Sequence, residues 1–259
     1  MLKIIFKPFI LFFNIFKEIN RVRKRYKNKP KEYLNKTDSV VENVTSFYTT
    51  NNLLSRLCEI RGTDKGFIDL QKEKPYNWEP HPYSVFYHSL FAHCRKNVSL
   101  VFECGIGTHN ISIESNMGSS GIPGASLRMW KDYFINAEIF GADIDTNVLF
   151  QEDRIKTFEV DQLNSDSIKK MWKNINKTNF DLIIDDGLHS YNSSLNFFLH
   201  SFDRLKKDGL YIIEDLDYKY IDKLRNSLKK FNPEVSMFKN NLSKKNNSTN
   251  NNLIVIRKE

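Results

Sequence analysis

Cysteine is scarce: the 259 residues carry three, Cys58, Cys94 and Cys104, and no two of them form a CxxC pair. This excludes a disulfide framework and a zinc knuckle, and lone thiols suit a reducing compartment, so a cytoplasmic location is expected. A membrane-spanning run is also lacking. The most hydrophobic stretch, Leu2 to Phe16, is interrupted by Lys3, Lys7 and Pro8. As a helix it would reach roughly 22 Å, against a hydrocarbon core of about 30 Å. A secretory signal would end in small residues, whereas Lys17-Glu18 and a run of bases follow here.

Nor is the charge of one sign. The net +8 divides into +9 over residues 1–36, −8 over 37–222 and +7 over 223–259. An acidic middle repels a phosphate backbone, so nucleic acid is not an expected partner. The first segment fits two roles. In one, its aromatics dip into a headgroup boundary while Arg21, Arg23, Lys24, Arg25, Lys27 and Lys29 meet anionic lipid, a peripheral contact at the inner membrane through residues 1–30. In the other, it packs on the protein's own core or on a second copy in a homo-oligomer.

What is present is core-forming. The 40% hydrophobic content supports one large domain with an appendage. The expected division is a basic amphipathic segment over 1–36, a helical lid on the acceptor side over 37–95, and the main domain over 96–259. In the lid, Tyr83, Phe86, Tyr87 and Phe91 recur at helical spacing, and a core face is the default for such a stripe. From Ser99 onward, apolar runs alternate with helical stretches: LVFEC, AEIFGADI, KTFEV, FDLIID and LYIIED. Strands that each end in an acid, separated by helices, predict a parallel α/β sheet with its ligands beyond the carboxyl ends. Near the end, an Asn-rich run precedes Leu253–Ile256 and reads as a loop between two strands.

Four strand ends carry the chemistry. At the first, Glu103-Cys104-Gly105-Ile106-Gly107 lets the chain turn sharply beside a ligand, but Asn110 stands where a dinucleotide fingerprint needs its third glycine. At the second, Asp143 can accept from ribose hydroxyls. At the third, Asp161-Gln162 can meet a ribose or an adenine edge. Any one acid alone could equally be a helix cap or turn residue. At the fourth, Asp185-Asp186-Gly187-Leu188-His189 faces Glu214-Asp215 on the next strand. Strands about 4.8 Å apart let Asp186, Glu214 and Asp215 converge, and crowded carboxylates need a cation or protons, with Mg²⁺ the first choice. His189 is placed to take a proton from a hydroxyl bound there; its plainer alternative is a capping or packing histidine.

Taken in order, RGTDKG, HPYSVFY, FECGIGT, GIPGASLRMWKDYF, GADID, VDQ, IDDGLH and IIEDL resemble the class I S-adenosylmethionine-dependent methyltransferases, and within them the metal-dependent macrocin- and mycinamicin-type sugar O-methyltransferases. The resemblance runs from about Gly62 to Asp217. It implies a Rossmann-like, seven-stranded, mostly parallel sheet with an antiparallel last strand, plus the helical lid. It also implies S-adenosyl-L-methionine and Mg²⁺ as cofactors. Carried onto matching positions, it places Glu103, Gly105, Gly107, Ser126, Arg128, Asp143, Asp161, Asp185 and Tyr83 around S-adenosylmethionine. Asp186, Glu214 and Asp215 become the metal ligands, and His189, with Asp186, the catalytic pair. Leu188 departs from the family, where Ser is frequent. The implied activity is methyl transfer to a sugar hydroxyl of a nucleotide sugar or glycan, with capsule or lipopolysaccharide synthesis the expected setting. A phosphate-type glycan modification, a small natural product, and a catalytically silent membrane-associated binding module are the alternatives.

Overall fold

Each apolar run that ends in an acid forms a strand. The computed structural model describes residues 51–67, 73–216, 218–231, 235–239 and 252–259. The basic first segment, with both of its expected roles, lies outside the described residues, as does most of the Asn-rich run. The strands are β1 (Leu100–Cys104), β2 (Glu138–Asp143), β3 (Gln151–Glu152), β4 (Ile155–Glu159), β5 (Phe180–Asp185), β6 (Leu205–Ile213), β7 (Val235–Lys239) and β8 (Asn252–Arg257). They form one sheet in the order β3-β4-β2-β1-β5-β6-β8-β7. Neighbours from β4 to β6 are parallel, while β8 runs antiparallel to both β6 and β7. Seven principal strands with an antiparallel last strand are what the sequence implied. The two-residue β3, an antiparallel edge against β4, is too short to leave a periodic signal.

The helices are α1 (Leu53–Arg61), α2 (Tyr83–Phe91), α3 (Ala125–Tyr133), α4 (Ser165–Ile175), α5 (Tyr191–Ser201) and α6 (Tyr218–Leu228). The best-specified is α4. The Asn164 side chain caps it by accepting from the amides of Asp166 and Ser167, Asn176 ends it in a left-handed conformation, and Ile168, Met171, Trp172 and Ile175 form its buried stripe. No helix among the described residues is long and apolar enough to cross a membrane.

The pleat sorts the core into two layers. Side chains alternate along a strand, so Phe102, Ile183 and Tyr211 face one side with Trp172, Phe197 and Phe198, joined by Phe180, which precedes a register shift in the β5–β6 pairing. Val101, Leu182, Ile184 and Ile212 face the other, with Leu54, Cys58, Tyr87 and Trp130. Strand order reverses between β1 and β5, which makes their carboxyl ends the switch point where α/β sheets bind ligands. Trp172 is buried and donates through Nε1 to Ser201 Oγ at 2.9 Å. Trp172→Ala is expected to cost about 3–5 kcal/mol, read as a lower urea midpoint in equilibrium unfolding; an unchanged midpoint would contradict this packing.

Candidate active site

Parity decides where each strand-end acid points. Glu103 shares the face of Val101, and the register that pairs Asp185 with Ile213 sets Asp186 beside Glu214. Asp185 falls on the opposite face. Consecutive acids are thereby divided between the two layers.

On the face of α1 and α2, Lys65 fills the space among the carboxylates. It lies between α1 and α2 and is only 2% exposed. Its Nζ donates to Asp186 Oδ2 at 2.6 Å and to Glu214 Oε2 at 2.5 Å, and stands 3.1 Å from Glu103 Oε1. The other oxygen of Glu214 accepts from the Tyr87 hydroxyl at 2.5 Å, and Glu103 Oε2 accepts from Trp130 Nε1 at 2.9 Å. Tyr83 donates to Asp215 Oδ1. His81 stacks on the Tyr83 ring and brings Nε2 to 3.3 Å from Asp215 Oδ2 and 3.7 Å from Asp64 Oδ2. The aromatic stripe of α2 is thus a core face that also carries hydroxyls to two site carboxylates.

These groups line or underlie a cavity of about 1250 Å³. Gly105, Gly107, Ser126, Asp143, Asp161, Asp186, His189 and Asp215 reach its wall. Asp143 Oδ2 accepts from Ile106 N at 2.9 Å and its Oδ1 from Asp145 N at 3.0 Å, so it pins the glycine turn as well as facing the cavity. Gly105 has φ +85°, and a Cβ there would lie 2.1 Å from the carbonyl oxygen of Asp186; the turn passes under the β5 loop only as glycine. Ligand atoms of Asp186, His189 and Asp215 all come within 4.8 Å of one another. The two carboxylates of that half-buried group, open to the cavity, fit a hard divalent ion such as Mg²⁺, with the His189 nitrogen beside them.

No protein-family model matches the chain. Among curated proteins it is similar to the 8-demethyl-8-alpha-L-rhamnosyl tetracenomycin-C 2'-O-methyltransferase of Streptomyces olivaceus, 33% identical over 143 residues, 55% of this chain and 35% of that protein. It is also similar to the mycinamicin VI 2''-O-methyltransferase of Micromonospora griseorubida, 31% identical over 136 residues, 52% of this chain and 32% of that protein. The match therefore spans about a third of the length of these relatives. Among solved structures, the MycE methyltransferase of the mycinamycin pathway, in complex with Mg, SAH and mycinamycin VI, superposes with a TM-score of 0.56 at 22% identity, over 81% of this chain and 55% of that one. The fold is that of the class I methyltransferases. The homologues bear out the sequence resemblance to macrocin- and mycinamicin-type sugar O-methyltransferases.

Within this methyltransferase fold, several expected residues stand elsewhere than on the cavity wall. Arg128 turns away, paired with Glu152 at 2.7 Å and lying over Phe150. Glu103 and Glu214 lie behind the wall, fully buried, with Lys65 against both. Tyr83 is placed at Asp215. Asp185, on the far face, accepts from Gln162 Nε2 at 2.5 Å. Lys65, Tyr87, His81 and the full part played by Gln162 were missed by sequence reasoning. The signal for Lys65 was available, since crowded carboxylates demand a cation and RGTDKG holds a lysine.

Burial pushes the carboxyls of Glu214 and Asp186 up to about 8 in each case, against the pull of Lys65, with neighbouring acids adding to the rise. A carboxyl whose folded pKa lies above its unfolded value contributes stability below the unfolded pKa, and that contribution is lost as pH rises through the folded one. The metal-free protein is therefore expected to lose stability between about pH 4.5 and 8. Urea midpoints taken across this window at fixed ionic strength check it; a rising midpoint would contradict the burial of these acids.

Proposed function

We propose that the chain transfers a methyl group from S-adenosylmethionine to a hydroxyl of a sugar on a small glycoside. The observation that carries this reading is the convergence, on one cavity, of the Gly105–Gly107 turn and Asp143 with the Asp186, His189 and Asp215 cluster. The first set suits the methionine and ribose parts of the cofactor, with Asp161 on the adenosine side. The second suits a hydroxyl that must lose a proton.

In the transfer, the acceptor oxygen forms a bond to the methyl carbon as the carbon–sulfur bond breaks, and the hydroxyl proton leaves. The chain's task is alignment and proton removal. His189 takes the proton, and Asp186 and Asp215 would hold a divalent ion, with Glu214 buried behind them against Lys65 and Tyr87. A divalent ion there supplies charge that favours the alkoxide and orients the sugar oxygens. Tyr83 and His81 hold Asp215 from the helical side, and Lys65 holds Asp186 at a fixed place.

Electrostatics supports an uncharged acceptor. The cavity is lined by Asp64, Glu79, Glu114, Asp143, Asp161, Asp186 and Asp215, and among the described residues Lys65 is the only lysine or arginine on its wall. That lysine is already committed to carboxylates. A nucleotide sugar or a phosphate-type group would enter against this field, whereas a neutral glycoside would not. The acceptors named for the relatives are likewise glycosides, a rhamnosyl tetracenomycin-C and mycinamicin VI. A capsule or lipopolysaccharide acceptor, expected from the basic first segment, draws no support from these relatives; the small natural product does.

The purified protein should convert S-adenosylmethionine and a rhamnosyl tetracenomycin, mycinamicin VI or 4-nitrophenyl α-L-rhamnopyranoside into S-adenosylhomocysteine and a methyl ether, read by mass spectrometry. No turnover, together with no cofactor binding in calorimetry, would favour a silent binding module. His189→Ala is expected to reduce turnover by about 10²–10⁴-fold while leaving cofactor binding intact; appreciable residual activity would remove it from the base role. EDTA should stop the reaction and Mg²⁺ restore it; chelation without effect would argue against the metal.

A further inference from the structure

We infer that Gln162 is a positioning residue for His189, its amide clamping the loop that carries the histidine. The inference rests on reading His189 as the base. Gln162 follows β4 and is 7% exposed. Its Nε2 donates to Asp185 Oδ1 at 2.5 Å, and its Oε1 accepts from Leu188 N at 2.8 Å. Its own carbonyl oxygen accepts from Asn196 Nδ2 at 2.8 Å. The amide can face only one way: a backbone N–H must meet the oxygen, which leaves the NH₂ for the carboxylate. One residue therefore joins the end of β5, the loop beyond it and α5.

The loop is built around that amide. A Cβ on Gly187 would lie 2.1 Å from Gln162 Oε1, so any side chain there would have to displace the amide. His189 itself has φ +54°, a left-handed conformation that costs a non-glycine residue about 1 kcal/mol or more. Such strain persists where the surroundings over-determine it. Here one fixed point is Leu188 N on Gln162, and the other is Ser190, which caps α5 by accepting from Ser193 N.

A histidine base usually has its ring aimed by a carboxylate or carbonyl on the second nitrogen. His189 Nδ1 is buried with no hydrogen-bond partner among the described residues. The direction of the ring must come from the backbone that carries it, and Gln162 sets that backbone. Asp185, behind the amide, is then a support for Gln162 rather than a group that meets the cofactor.

Gln162→Met, of similar length without either bond, and Gln162→Glu, which keeps an oxygen for Leu188, test this against the wild type. The readouts are hydrogen exchange at the Leu188 amide, calorimetric binding of S-adenosylmethionine, and kcat with 4-nitrophenyl α-L-rhamnopyranoside. For Gln162→Met, exchange at Leu188 should rise and kcat fall at least tenfold each, with cofactor affinity within threefold of wild type. Gln162→Glu, which keeps an oxygen for Leu188 but loses the donor to Asp185 and sets a second carboxyl against it, should behave as Gln162→Met does in both readouts. Unchanged exchange in Gln162→Met overturns the clamp. Faster exchange with unchanged kcat, or a kcat loss matched by lost cofactor affinity, overturns the positioning role. A wild type that methylates no acceptor counts against the proposed function instead, and the exchange arm still decides the clamp.

Discussion

Acids at the ends of adjacent strands cannot share a buried corner unless a cation stands among them, and Lys65 meets that need from outside the sheet. Its ammonium lies between Glu103 on β1, Asp186 after β5 and Glu214 after β6. An isolated ion in such a place would lose several kcal/mol of hydration; against three carboxylates with two short hydrogen bonds the loss is offset. The neighbouring acids hold the lysine pKa well above its usual value despite burial, so it stays charged. Docking of the helical region onto the sheet is therefore more than the packing of apolar faces. It delivers the one group without which the switch point could not tolerate its acids.

The pleat gives the arrangement its division of labour. Asp185 and Asp186 are neighbours in sequence yet face opposite layers, one meeting Gln162 and α5, the other meeting Lys65 and the cavity. Glu214 and Asp215 divide in the same spirit. Glu214 is sealed between Lys65 and Tyr87, while Asp215 is held by Tyr83 and His81 at the cavity wall. In each pair one acid anchors and the other remains available for a ligand. The α2 helix can serve both because Tyr83 and Tyr87, a turn apart, present hydroxyls where the strand ends present carboxylates.

The fold was legible because its signal is local. Apolar runs ending in acids, helical stretches between them and a broken glycine fingerprint are all contained within a few residues, and the parallel α/β sheet follows from them; the antiparallel last strand came only from the family resemblance. The convergence of Asp186 and Asp215 was legible for the same reason, since neighbouring parallel strands place their ends side by side. What the sequence hid lies across long separations. Lys65 is 121 residues from Asp186 and 149 from Glu214, and nothing in RGTDKG says where its side chain ends. Gln162 could be seen at a strand end, but its partners lie 23 and 26 residues away, so it read as a ligand contact. Arg128 was drawn toward the cofactor by its place in a motif, whereas Glu152 and Phe150 supply a nearer anion and ring.

Charge links the site back to the polarised sequence. Of the acids in the −8 stretch of residues 37–222, seven line the cavity wall, and Lys65, the lysine on that wall among the described residues, is neutralised by its own neighbours. Such a cavity favours ligands that bring positive charge or none: a sulfonium, a divalent ion, a neutral sugar. A phosphate-bearing acceptor would need its own cation to enter, and the carboxylates that could hold one are those required at the reacting hydroxyl. On the proposed function, discrimination against anionic acceptors would be a property of the same carboxylates that fit the ion, and changing one without the other would require rebuilding the ends of β1, β5 and β6 together.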